Sequence, residues 1–73
     1  MGLLVEMDNM KDKDIPKIVK KLRIEMGLTQ EQFAAKVGVT FTTVNRWENG
    51  KGKPSPLAML RIEELANEID ETN

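Results

Sequence analysis

Four hydrogen-bonding side chains share one face of a short segment in the middle of the chain. At spacings of three and four residues they are Thr42, Asn45, Arg46 and Asn49. Because a helix turns about 100° per residue, this spacing places all of them on one continuous side. Such a face can hydrogen-bond the base edges in the major groove of DNA, where arginine pairs with guanine, asparagine with adenine, and threonine adapts to either. The pattern therefore predicts a face that reads base pairs.

The apolar residues of the same segment predict the opposite side of that helix. Val44 and Trp47 are three positions apart and so lie close together on the helix surface. Neighbouring residues point about 100° apart, so Trp47 can enter a core while Arg46 faces DNA. Phe41 lies between the two sides, and two interpretations stay open: contact with a thymine methyl group, or packing against the preceding helix.

Helix-boundary residues define this segment as the third of four predicted helices. Thr40 can cap its start, and Gly50 follows its expected end at about Asn49. The connection to the preceding second helix consists of only three residues, Gly38, Val39 and Thr40. A left-handed glycine in so short a turn predicts the steep crossing of a helix-turn-helix.

Similar signals predict the other three helices, and the chain shows no strand-like alternation. Asp14 is the expected N-cap of helix 1, whose last turn is followed by Gly27 and Leu28 in the order of a Schellman motif. Thr29 and Gln32 form a capping box that starts helix 2. A helix 4 is expected from the Ser55 cap to about Glu68. The apolar stripe of helix 1 comprises Ile15, Ile18, Val19, Leu22 and Met26.

Length and composition exclude several classes of protein. A chain of 73 residues holds one domain with a small core. It has no cysteine and no histidine, which excludes disulfides and a zinc site of ordinary ligands and leaves no nucleophile pair or histidine base. We therefore predict a protein that is not an enzyme and has no cofactor or metal. No apolar run approaches the roughly 20 residues of a membrane span, and we expect a cytoplasmic location.

The net charge of −1 conceals an uneven distribution. Residues 15–61 contain nine lysines or arginines and three acids, a net charge of +6, whereas residues 1–14 carry −2 and residues 62–73 carry −5. A basic middle between acidic ends suits a domain that binds DNA through its centre, although a solvated surface of mixed charge is the alternative. Lys51 and Lys53, just past helix 3, are the candidates for phosphate contact, with a solvated loop as the alternative.

A long stretch of the chain resembles a known family. LRIEMGLTQEQFAAKVGVTFTTVNRWENGKGKPS is similar to the helix-turn-helix domains of the phage lambda repressor and Cro, and its specific parts are the blocks GLTQEQ and TVNRWENG. The resemblance covers about residues 18–65. It implies an all-α, lambda-repressor-like DNA-binding domain of four helices, or five where a short one follows the fourth. It also implies a prokaryotic, sequence-specific transcriptional regulator that binds double-stranded DNA as a homodimer.

The resemblance further implies roles for individual residues. Gln30 would open helix 2 and touch a phosphate. Base reading would fall to Phe41, Thr42, Asn45 and Arg46. Positions close to the DNA backbone would be Thr40, Thr43, Asn49 and Lys51. A buried ion pair would join Arg23 and Glu48. Because this chain lacks the glycine turn that precedes a fifth helix in the family, we expect a longer helix 4.

The expected domain organisation is a single helix-turn-helix domain over residues 14–70. Residues 1–13 would form a flexible tail, with a short interface arm as the alternative, and residues 71–73 would be a frayed C-terminus. A second function stays open beside DNA binding. In it the chain is an antitoxin-like interaction module whose acidic C-terminal helix or N-terminal arm binds another protein.

Overall fold

The computed structural model describes the backbone of residues 14–72 and the side chains of residues 14–69. Over this range the chain forms four helices and no strand, as predicted: α1 (Ile15–Glu25), α2 (Gln30–Val37), α3 (Phe41–Glu48) and α4 (Pro56–Thr72). The N-terminal tail or arm expected for residues 1–13 lies outside the described residues.

Three helices begin at side-chain caps that the sequence predicts. Thr29 Oγ1 accepts a hydrogen bond from the backbone N–H of Gln32 at 3.1 Å, and Gln32 Oε1 accepts one from the N–H of Thr29 at 2.9 Å. This reciprocal pair confirms the capping box of α2. The hydroxyls of Thr40 and Ser55 each accept from the N–H three residues further on, both at 3.2 Å. These bonds satisfy donors that the first turn of a helix leaves without an intrahelical partner.

One helix begins at its predicted N-cap residue but without the side-chain bond, and another ends later than predicted. Asp14 stands at the N-cap of α1 but makes no side-chain cap bond, because its backbone already has helical angles of φ −93° and ψ −12° rather than the extended conformation that capping needs. At the other end of the chain, α4 runs to Thr72 instead of ending at about Glu68. No glycine or proline follows Glu68 to stop it.

The turn between α2 and α3 is the three-residue connection that the sequence predicts. The N–H groups of Gly38 and Val39 both donate to the carbonyl of Ala34, at 2.8 and 2.9 Å, and so close the end of α2. Gly38 has φ +92°, a conformation that residues with a Cβ rarely adopt. No atom lies within 4 Å of where a Cβ would be, so the backbone angle alone requires glycine here. This turn sets the angle at which α3 leaves α2.

The core lies between all four helices and takes only one side of α3. From α3 it receives Val44, which is fully buried, and Trp47, which is 3% exposed, and this confirms the predicted interior position of Trp47. The other buried apolar residues are Ile15, Ile18, Val19, Leu22, Phe33, Ala34, Val37, Ala58, Ile62, Leu65 and Ala66. Helix α3 packs on α1 and α2, which leaves its remaining side at the surface.

Candidate nucleic-acid interface

The exposed side of α3 carries the residues for which the sequence predicts base reading. Thr42 and Arg46 are exposed, Asn45 is half-buried, and Phe41 keeps 46% of its surface accessible. Since Val44 and Trp47 fill the core, the helix is divided into an apolar and a polar side as its sequence pattern requires. The accessible ring of Phe41 is compatible with contact to a thymine methyl group.

Arg46 also makes a contact that its sequence position does not reveal. Its Nη2 donates a hydrogen bond to the carbonyl oxygen of Lys51 at 2.8 Å. A Cβ built on Gly52 would lie 3.7 Å from both Nε and Nη2, so the guanidinium lies alongside this part of the loop. An arginine has five N–H donors, so Arg46 can keep this bond and still present donors to a base. It therefore links the exposed face formed by Phe41, Thr42, Asn45 and Arg46, the predicted reading face, to the basic loop of residues 51–53.

The basic loop, residues 51–53, is held against the end of α3 by the backbone. The N–H of Lys51 donates to the carbonyl of Arg46 at 2.8 Å, and the N–H of Gly50 donates to Trp47 at 3.2 Å. Gly50 has φ +73°, which turns the chain back across the helix end. Lys51 and Lys53 are both exposed. The structure thus brings the predicted phosphate contact Lys51 next to Arg46, with Lys53 two residues further along the same loop.

The start of α3 carries two threonines that interact with each other. Thr40 Oγ1 and Thr43 Oγ1 lie 3.0 Å apart, and Thr40 Oγ1 also accepts the backbone N–H of Thr43. Thr40 is exposed and Thr43 is half-buried. The structure places them at the end of α3 opposite the basic loop, so the residues expected near the DNA backbone lie at both ends of the reading face.

Arg23 and Glu48 form the ion pair that the resemblance implies. Arg23 Nε donates to Glu48 Oε2 at 2.7 Å and Nη2 donates to Oε1 at 3.1 Å, while Nη1 donates to the carbonyl of Leu28 at 3.0 Å. The two side chains are 15% and 6% exposed. Hydrogen bonding to Glu48 raises the pKa of Arg23, against the opposing effect of burial. The pair joins α1 to α3 and neutralises the one acidic side chain of α3.

Both polar atoms of the Gln30 side-chain amide are hydrogen-bonded to other side chains of the protein. Its Nε2 donates to Glu48 Oε1 at 3.0 Å, and its Oε1 accepts from Asn45 Nδ2 at 3.2 Å. Asn49 Nδ2 in turn donates to the carbonyl oxygen of Asn45 at 2.8 Å and to its side-chain Oδ1 at 3.2 Å. Sequence reasoning assigned these residues to DNA one by one and missed the bonds between them, because Gln30 and Asn45 are 15 positions apart.

The described residues also show what the site lacks. No group of three or more carboxylates among them is placed to hold a metal ion. None of the helices in this range is long and apolar enough to cross a membrane.

Comparisons with known proteins agree with this geometry. A family model described as helix-turn-helix matches residues 19–72. An uncharacterized helix-turn-helix-type transcriptional regulator from Methanothermobacter thermautotrophicus is 42% identical over 62% of this chain and 65% of its own length. A type II methyltransferase from Lactococcus lactis subsp. cremoris is 37% identical over 73% of this chain but only 15% of the enzyme. No solved structure gives a significant match. This chain belongs to the helix-turn-helix family of the lambda repressor and Cro type.

Proposed function

We propose that this protein is a sequence-specific DNA-binding transcriptional regulator, without enzymatic activity, that places α3 in the major groove. The observation that carries the proposal is the division of α3, with Trp47 and Val44 in the core and Thr42 and Arg46 exposed. An α-helix fits the major groove, and in a helix-turn-helix the preceding helix, here α2, crosses the DNA backbone. We assign the function to a domain of residues 14–70, acting in the cytoplasm of a prokaryote.

The proposed contacts fall into two groups. Base edges would be read by Phe41, Thr42, Asn45 and Arg46. Phosphates and sugars would be met by Thr40, Thr43, Asn49, Lys51 and Lys53. Phosphate contacts supply much of the affinity and all of its dependence on salt, whereas base contacts supply the selectivity. The match to a methyltransferase covers only 15% of that enzyme, so it gives no support for a catalytic role here.

Selection of bound sites from a random pool of double-stranded DNA tests the proposal. We expect enrichment of one short consensus, because each good bidentate pair on α3 discriminates by roughly 1–3 kcal/mol. A pool that stays random after repeated rounds would overturn sequence-specific binding.

We further propose that two copies bind one operator, with their reading helices about 34 Å apart on half-sites one helical turn apart. Leu57 and Leu60, which are one turn apart on α4 and 68% and 51% exposed, are the apolar surface that supports an association of this kind. A palindromic consensus is then expected. A consensus without a second, symmetry-related half, bound by one copy, would count against the dimer. It would favour the alternative in which α4 of an antitoxin-like protein binds a different protein.

The two lysines of the basic loop are expected to strengthen binding to every DNA sequence by a similar amount. Replacing Lys51 and Lys53 together with alanine should weaken binding to all sequences and reduce the slope of log K against log salt by roughly two units, since each phosphate contact releases about one counterion. Binding titrations at several salt concentrations, on cognate and unrelated duplexes, measure this.

The matched control is the double change Lys20→Ala with Arg61→Ala. These exposed side chains lie on α1 and α4, and neither belongs to the proposed interface, so the control removes the same charge from elsewhere on the surface. It should change the slope much less. A loss confined to the cognate sequence would contradict the assignment of the loop to phosphate.

A further inference from the structure

A continuous chain of hydrogen bonds leads from the Arg23–Glu48 ion pair to the reading face of α3. Glu48 accepts from Arg23 and, at 3.0 Å, from Gln30 Nε2. Gln30 accepts from Asn45 Nδ2 at 3.2 Å, and Asn45 Oδ1 accepts from Asn49 Nδ2 at 3.2 Å. Each residue is thus hydrogen-bonded to the next, and the series runs from α1, through the first turn of α2, to the surface of α3.

This chain has a fixed direction because its first member can only accept. The carboxylate of Glu48 has no N–H or O–H to donate while Arg23 neutralises it. Gln30 must therefore turn its NH₂ group toward Glu48 and its oxygen toward Asn45. Asn45 must then turn its own NH₂ group toward Gln30, which leaves its oxygen on the side of Asn49. The carboxylate thus orients Gln30 and, through it, Asn45. The NH₂ group of Asn49, which also donates to the backbone carbonyl of Asn45 at 2.8 Å, favours the same orientation of Asn45.

The bonds leave Asn45 with the two groups that adenine requires. An amide has two N–H donors and an oxygen with two lone pairs. One donor is used by Gln30 and one lone pair by Asn49. The remaining donor can bond adenine N7 and the remaining lone pair can accept from adenine N6. Guanine presents an acceptor at both positions, so its O6 would face the Asn45 oxygen. A free amide could rotate until its NH₂ group donates to O6, whereas an amide held by Gln30 and Asn49 cannot.

We propose that Gln30 is a positioning residue that sets the base preference of Asn45, and that it does so by fixing the orientation of the Asn45 amide. The inference rests on the proposed function, because it requires Asn45 to face a base. It assigns Gln30 a role different from the phosphate contact that the resemblance implies. Adenine is the predicted base, with its N7 toward α2 and its N6 toward the C-terminal end of α3.

The test compares Gln30→Met, which keeps the length of the side chain and removes its amide, with Asn45→Ala and with the double variant. Each protein is titrated on the selected site and on all single base-pair changes of that site, and its thermal unfolding is recorded. Gln30→Ala is measured alongside, in case methionine disturbs the contact between α2 and α3. Gln32→Met is the matched control, since Gln32 lies in the same first turn but its side chain bonds Thr29 instead of a residue of α3.

We expect Asn45→Ala to remove a preference for adenine of about 5- to 150-fold at one base pair, the range that one bidentate contact provides. Gln30→Met should reduce the same preference at the same base pair, with other positions unchanged, because the Asn45 amide is then held only by its bond from Asn49. The double variant should match Asn45→Ala, because a residue that acts through Asn45 has no effect once Asn45 is gone. Gln32→Met should keep the preference.

Three outcomes would overturn the inference. The first is a uniform loss of affinity on all sequences in Gln30→Met and Gln30→Ala, which would identify a phosphate contact. The second is a double variant that loses the sum of the two single losses. The third is a preference for adenine that stays unchanged in Gln30→Met. Failure of the proposed function looks different. In that case Asn45→Ala itself leaves the preference at every base pair as it was, or the parent protein selects no site at all.

Discussion

Replacing Trp47 with alanine is expected to lower the free energy of unfolding by about 3–5 kcal/mol, the usual cost of truncating a core aromatic residue. Trp47 is 3% exposed and belongs to the cluster of buried apolar residues that joins the four helices. A domain of this size has a stability of only about 4–11 kcal/mol, so the variant should be partly unfolded at physiological temperature. Urea unfolding followed by far-UV circular dichroism measures the change, because the variant lacks the chain's one tryptophan.

Phe41→Ala is the matched control for this prediction. It removes an aromatic ring from the same helix, but the ring is 46% exposed, so we expect a loss of about 1 kcal/mol or less. The contrast tests the orientation of α3 directly. If Trp47→Ala unfolded at the same urea concentration as the parent while Phe41→Ala lost several kcal/mol, the helix would be turned the other way.

Local sequence signals were sufficient to predict most of the fold. The caps at Thr29, Thr40 and Ser55 and the left-handed turn at Gly38 depend on hydrogen bonds within a few residues, so residue types at fixed spacing identify them. The position of Trp47 follows from helical periodicity in the same way. Asp14 was the exception among the caps, because its type allows capping but its backbone conformation does not.

The side-chain contacts of the candidate site could be predicted only in part. The Arg23–Glu48 pair was reached through the family resemblance, since its members are 25 positions apart. The bond between Arg46 and the Lys51 carbonyl depends on how the loop after α3 turns back, and the bonds of Gln30 depend on where α2 lies beside α3. Such contacts are set by tertiary packing, and residue spacing in the sequence does not determine them.

Replacing Arg46 with alanine is expected to relax selectivity at the base pair that this residue reads, by roughly 1–3 kcal/mol. The loss should fall on a guanine, because the planar fork of arginine matches the two acceptors of guanine in the major groove. The bond from Nη2 to the Lys51 carbonyl is lost as well, so the basic loop should also bind phosphate less well. Site selection with the variant, followed by titration on both consensus sequences, measures the two effects separately.

Two further variants separate the roles of Arg46. Arg46→Lys keeps the positive charge but not the fork, so it should retain salt-dependent affinity and still lose the preference for guanine. Arg61→Ala removes the same side chain from an exposed position on α4, where it lies 3.6 Å from Glu64, and should leave the consensus unchanged. An unaltered consensus in Arg46→Ala would show that this arginine holds the loop and reads no base. Base reading would then rest on Phe41, Thr42 and Asn45, and the reading face would be shifted toward the N-terminal end of α3.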